Sequence, residues 1–395
     1  MKTWIKWTVM AWIGFGTASA VFADFRDFIM TDAGTDDQWT TVANWEEDAL
    51  PTTADHARIQ KDCYIANGVT GIAGAVSIAG FGADAALYVD AGGTLEVSSG
   101  GINVAFSRKT ALLDVSGTLT SSSVIMMGTD ATKTPTATVN FNLGASVSVG
   151  GIALGHNTPL GGTYTVNQTG GDVQVIGEIK IGDVNDALDS CEYIISGGSL
   201  NAVRINSGGN GSTAAKFSVH GSSADIGFSA QSFLTGQTEL EFVLDSSGAS
   251  ALMMTNGGYL KASTVSLTVD ASAFVGSAGD GILLIGVSEG DSMDEFTNVS
   301  VTEGFALDYR EGDGVYLTGG SAGPGAPAYL SISGDAGSVM VSATGLSVGA
   351  TYILKELGNI SETNWNSIAS VSGVSQTNWV LAATNPAMFY RVDSE

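Results

Sequence analysis

Apolar residues recur at every second position through a series of short runs that glycine and serine interrupt. AALYVDAG, ALLDVSG, TATVNFNLG, TYTVNQTG, EYIISG and KFSVHG alternate as half-buried strands do. Each run leads into a phrase of glycine, two small or polar residues and an apolar one: GGTLEV, SGTLTS, GASVSV, GGDVQV, GGSLNA and, more weakly, GSSADI. The apolar anchors are Leu95, Leu119, Val147, Val173, Leu200 and Ile226, spaced 24, 28, 26, 27 and 26 residues apart. A third apolar phrase follows, as in GINVAF, VIMMGT, IALGHN, IKIGDV and VRINSG. A period held this closely identifies a stacked repeat.

One such unit, three strands of about five residues joined by turns, cannot satisfy its own strand edges or cover its apolar side chains. Stacked, each strand pairs in parallel with its equivalent in the next unit, and the anchors form one interior column from Leu95 to Leu200. The pattern therefore predicts an all-β chain built on a parallel β-helix of about five to six coils, with right-handed crossovers. Composition agrees: 53 glycines and only 6 prolines suit many short strands and tight turns. Cys63 and Cys191 are 128 residues apart, close to five repeats. At ~4.8 Å per rung they would stand ~24 Å apart along the axis, far beyond disulfide reach, so two free thiols are expected.

The repeat divides the chain. Residues 24–60, with QWTTVANWEEDALPTTADHARI, are aromatic-rich and non-repeating, as an N-terminal cap should be. The β-helix occupies 61–235. From 236 to 320 the period is lost but strand patterns continue (TELEFVLDSS, STVSLTVDAS, GILLIGVS, GVYLTGG), which predicts a strand-rich C-terminal cap. Residues 321–328 read as a linker, and 329–395 as a small β-sandwich.

Charge and the first residues bear on where such an object works. Residues 1–23 have a basic start (Lys2, Lys6), an apolar stretch and small residues before Ala23, the pattern of a signal peptide. The net charge is −25; removing the two lysines leaves 13 basic residues against 40 acidic, or −27. A chain this acidic is repelled by nucleic acid and by anionic lipid. No stretch after residue 23 is apolar for the length of a membrane span.

QWTTVANWEEDALPTTADHARI, the GGTLEV-type coils and the TELEFVLD to VYLTGG segment together resemble secreted bacterial β-helix proteins of the autotransporter-passenger and PEP-CTERM-associated kinds. TYILKELGNISETNWNSIASVSG…MFYRV is similar to a β-sandwich at the C-terminus of exported bacterial surface proteins. The resemblance covers most of the chain and describes architecture. It does not extend to a membrane barrel or a Pro-Glu-Pro sorting signal. It implies a secreted or outer-surface bacterial protein whose solenoid serves adhesion, matrix or glycan contact, with polysaccharide or cell-surface glycan as partner.

Pectin-lyase-like β-helices are also carbohydrate-active enzymes, and that is the alternative reading. A lyase needs a basic residue beside carboxylates that hold calcium, and a hydrolase needs paired carboxylates. The basic residues on the third phrases are Arg108 with Lys109, Lys180 and Arg204; Lys180 and Arg204 are the pair expected on neighbouring coils, near Asp183, Asp186 and Asp189 of GDVNDALD. These three aspartates are the candidate calcium ligands within the solenoid, although their spacing is not that of a calcium loop. EGDSMDEF (289–296) is a second acidic phrase. Trp39 and Trp45 fit the cap and, in a second reading, a sugar-stacking platform. His56, His156 and His220 lie in different segments outside any triad or zinc pattern, and GGNGS (208–212) reads as a turn. The residues assign no cofactor other than calcium and no catalytic set, and favour a non-catalytic solenoid.

Overall fold

The structure is a computed structural model that describes residues 24–29, 36–80, 84–105, 110–128, 134–155, 161–182, 189–207, 214–234, 238–255, 260–261, 264–274, 278–288, 293, 295–296, 298–319, 329–335, 338–344, 351–357, 366–372, 374, 376–382 and 389–394. The signal-like residues 1–23, Arg108, Lys109, His156, Asp183, Asp186, GGNGS, most of EGDSMDEF and the 321–328 linker lie outside these.

The fold is all-β, a parallel β-solenoid with about six turns of full repeat. The anchors pair one to one through the stack: Leu95 with Leu119, then Val147, Val173, Leu200 and Ile226. All six are buried. The alternating runs form a ten-stranded parallel sheet from Cys63–Ile65 to Asn298–Val301. Its interior column begins Cys63, Leu87, Leu113, Val139, Val166 and Tyr193, all 0% exposed. Alternation thus decides facing: in Thr110–Val115 and Thr136–Phe141 every second side chain is interior.

Two features depart from the predicted coil. The second and third phrases are joined without a turn in Thr118–Met127, Ser146–Leu154, Asp172–Ile181 and Gly198–Ser207, each a single strand bent at a bulge. Register slips there, between Ser121 and Val124 opposite Val149 and Gly151 and again between Val149 and Ile152 opposite Val175 and Ile179. A bulge turns the corner while backbone pairing continues on both sides of it, so no turn residues are required. Secondly, the parallel ladder continues past 236 through Thr238–Val243, Ser266–Asp270 and Asn298–Val301. The sequence hides these rungs because the Gly-anchored phrase is gone: the segments opposite shrink to Leu252–Met254 and Leu260–Lys261. An antiparallel set, Ile282–Gly286, Gly314–Gly319 and Phe305–Arg310, accompanies the last of these rungs.

At the other end, Phe25–Phe28 pairs with His56–Ile59, and Trp39, Trp45 and Phe28 close the core. Trp39 and Trp45 pack edge to face at 5.0 Å, and Trp45 Nε1 donates to Trp39 O at 2.9 Å. Gly71, which pairs with Leu95 and so heads the anchor column, makes room for them: a β-carbon there would stand 3.1 Å from the Trp39 indole and 2.7 Å from Ile65 Cδ1. Cys63 and Cys191 are both buried, and neither is in a disulfide, as the repeat arithmetic requires. Burial, and then Asp37, push the Cys63 thiol up, so it stays protonated and inert.

Residues beyond 329 form two three-stranded antiparallel sheets. One is Tyr329–Asp335, Ser338–Thr344 and Gln376–Ala382; the other Asn366–Ser372, Thr351–Leu357 and Phe389–Ser394. Val341, Ala343 and Trp379 from the first meet Tyr352, Leu354 and Val392 from the second in a core of their own.

Candidate functional site

Because side chains alternate, each rung of the ten-stranded sheet that buries Leu or Val on one side presents its neighbours outward. Stacking then gathers residues ~25 apart in sequence into columns ~4.8 Å apart in space. One outward column runs Tyr64, Tyr88, Asp114, Asn140, Asn167, Ile194, Ser218, Glu241, Thr268 and Ser300. Beside it run Leu112, Thr138, Thr165, Glu192, Lys216, Glu239, Ser266 and Asn298. Apart from Leu112, Ile194 and the buried Ala86 that pairs with Leu112, every member has a polar group, and of these Ser218 is buried.

Hydrogen bonds run along the axis of this face. Asn140 Nδ2 donates to Asp114 Oδ1 at 2.9 Å and Asn167 Nδ2 to Asn140 Oδ1 at 3.0 Å; Asn142 Nδ2 adds a donor to Asp114 Oδ1 at 3.1 Å. The amides are thereby held in one orientation. Tyr64 and Tyr88 stack at 4.4 Å with 11° between their planes. Burial first, then Tyr88, Asp37 and Asp62, push the Tyr64 phenol up, so it keeps its proton for donation at neutral pH.

Further along, Lys216 Nζ lies 2.9 Å from Glu241 Oε1, 3.9 Å from Glu192 Oε1 and 4.0 Å from Glu239 Oε2. Burial pulls the ammonium down, but the hydrogen bond and charge of Glu241, then Glu239 and Glu192, outweigh it and hold Lys216 above its ordinary value. Burial raises Glu241, and its bonds from Lys216 and Ser218 more than reverse that, so it remains a carboxylate. His220 Nε2 stands 3.6 Å from Glu241 Oε2. The face ends in an open concavity of about 520 Å³ lined by Glu239, Thr264, Ser266, Leu267, Thr268, Asn298 and Ser300.

The residues singled out from sequence are distributed differently. Trp39 and Trp45 are 2% and 1% exposed, so neither indole has a face for a sugar; covering the open first coil requires both rings. Lys180 and Arg204 lie on adjacent coils, on the outside of the bent strands, but are not opposite each other. Lys180 pairs with Asn206 and Arg204 with Glu178, two positions away, and Asn206 Nδ2 donates to Glu178 Oε2 at 2.8 Å. Asp189 is buried at the start of Ser190–Ile195, and its backbone carbonyl accepts from Ala214 N at 3.1 Å. The two remaining aspartates of that set are outside the described residues.

A group of carboxylates that sequence reasoning missed, Asp27, Glu46 and Glu47, comes together at the N-terminal cap. Arg58 binds Asp27 through both Nε and Nη2, so the buried member of this cluster is already in an ion pair of the cap, while Glu46 and Glu47 are exposed. His56, next to it, hydrogen-bonds Ser77 Oγ through Nε2 at 2.8 Å.

No protein family, curated protein or solved structure matches this chain. Among the described residues no helix is long and apolar enough to cross a membrane.

Proposed function

We propose that this protein is a secreted or surface-exposed, non-catalytic solenoid that contacts polysaccharide along the outer face of its ten-stranded sheet. The observation that carries this reading is the pair of outward columns, polar in almost every rung and hydrogen-bonded along the axis through Asp114, Asn140 and Asn167. A linear glycan is itself a repeat of hydroxyl groups. A face whose donors and acceptors recur every ~4.8 Å meets it with similar contacts at successive rungs. Individually weak hydrogen bonds then add along the length. Export rests on the signal-like residues 1–23, and a parallel β-solenoid is the architecture that the resemblance to autotransporter-passenger and PEP-CTERM-associated proteins implies.

The test is affinity electrophoresis of the full chain through gels containing a panel of neutral and charged polysaccharides. At least one polysaccharide should retard it. The triple substitution of Asp114, Asn140 and Asn167 by alanine should weaken that retardation tenfold or more, since each hydrogen bond contributes about 1 kcal/mol. Circular dichroism checks that the variant folds. Retardation unchanged in the triple variant, or release of new reducing ends from the retained polysaccharide, would overturn the reading.

A further inference from the structure

The concavity at the C-terminal end of this face differs in chemistry from the rest. Its walls offer the hydroxyls of Thr264, Ser266, Thr268 and Ser300 and the amide of Asn298, and among the described residues that line it the one charged group is the carboxylate of Glu239. The lining is already partly organised: Asn298 Nδ2 donates to Ser266 Oγ at 2.7 Å, and Thr268 Oγ1 donates to Glu239 Oε1 at 2.8 Å. Glu239, with one neutral donor on one oxygen, thus heads the column Glu239–Ser266–Asn298, and Thr268 and Ser300 follow Glu241 in the column beside it.

The other oxygen, Oε2, has Lys216 Nζ at 4.0 Å, beyond hydrogen-bond reach, because Lys216 is drawn to Glu241 at 2.9 Å. A carboxylate accepts up to about four hydrogen bonds, so Glu239 retains acceptor capacity at the edge of the concavity. The adjoining rungs show what this region attracts. A primary ammonium, that of Lys216, already sits within 4.0 Å of three carboxylates, so the group stays net negative, and one of the three, Glu239, lines the concavity. An acidic sugar would meet that surplus as repulsion, and a neutral one would leave it unanswered.

We propose that this concavity is a subsite for an amine-bearing sugar unit, its hydroxyls taken by the Ser, Thr and Asn side chains and its ammonium by Glu239. The proposal rests on the glycan reading above and gives it a substrate class: polysaccharides carrying free amino groups. The ligand would then enter the face with a fixed register, its charged unit at Glu239 and its neutral units toward Asn167 and Asn140.

Isothermal titration of the full chain with a glucosamine oligomer and with its N-acetylated counterpart of equal length tests this at ~0.15 M salt, where diffuse attraction to an acidic protein is screened. The free-amine oligomer should bind about tenfold more tightly, the factor expected for one hydrogen bond to a charged group. Glu239→Gln, which keeps an acceptor for Thr268, should erase that preference without weakening the acetylated oligomer. Glu96→Gln, an exposed carboxylate on a different strand set, should leave the preference intact. Equal affinities for the two oligomers, a preference that survives Glu239→Gln, or one lost equally in Glu96→Gln would overturn the subsite. If the acetylated oligomer still binds in those cases, the glycan reading stands without it; if neither oligomer nor any polysaccharide of the panel binds, both fail.

Discussion

His56 shows how a single side chain in the cap ties stability to pH. Burial, and after it the Arg58 guanidinium, pull its imidazole from 6.5 down to about 4, with Asp27 partly opposing. The folded chain therefore favours the neutral ring. That contribution is complete above the unfolded value of 6.5 and is lost as pH falls from there through about 4, amounting to roughly 3 kcal/mol at the acid limit. Thermal denaturation followed across pH should show the midpoint falling between pH 6.5 and about 5, before most carboxylates begin to protonate. His56→Gln should flatten that part of the curve; a slope that remains assigns the proton elsewhere. ADHARI shows Arg58 beside this histidine but not its burial or its partner Ser77, which pairing of His56–Ile59 with Ala75–Ile78 brings to it. The same holds for Gln168, an interior position that alternation marks as apolar. It is satisfied within the core, with Tyr193 Oη donating to its Oε1 at 2.9 Å and its own Nε2 donating to Ser199 O at 2.8 Å.

At the scale of elements, the anchor column from Leu95 to Ile226 was legible because stacking demands the same residue type at one position in every coil. The outward columns were not legible, for the opposite reason. Solvent-facing positions can hold Tyr, Asp, Asn, Thr, Glu or Lys without disturbing the stack, so the candidate face has no repeat signature of its own. Trp39 and Trp45 are buried at the N-terminal end of the core, and the residue that admits them has no signature in the sequence. Gly71 breaks the anchor pattern just where the Trp39 ring lies over the column. Gly71→Val should therefore displace the indole or strain the first coil and cost about 1–3 kcal/mol, the usual range for overpacking a filled core. A lowered urea midpoint with an unchanged slope is the expected result. A midpoint equal to that of the unaltered chain would show that the cap does not depend on this contact.

At the scale of the whole molecule, the described residues form two cores with no residue in common. The solenoid's runs from Phe28 to Leu317, and the sandwich's consists of Val341, Ala343, Tyr352, Leu354, Trp379 and Val392. They differ in how they cohere. A solenoid gains stability from each rung's contact with the next, and its uniform interior column couples those contacts over many turns. The second unit is small, the 67 residues of 329–395 with two three-stranded sheets, of the size at which burial barely offsets chain entropy. Scanning calorimetry of the full chain should accordingly resolve two transitions, the sandwich melting first. For the 67 residues of 329–395 its enthalpy should be roughly 45 kcal/mol, at about 0.7 kcal/mol per residue near 60 °C. Leu354→Ala should lower only the first transition and Leu119→Ala only the second, each by the ~2–5 kcal/mol expected for a truncated core leucine. One transition that both substitutions shift together would mean that the two units unfold as one, and the domain boundary read from 321–328 would then have no thermodynamic counterpart.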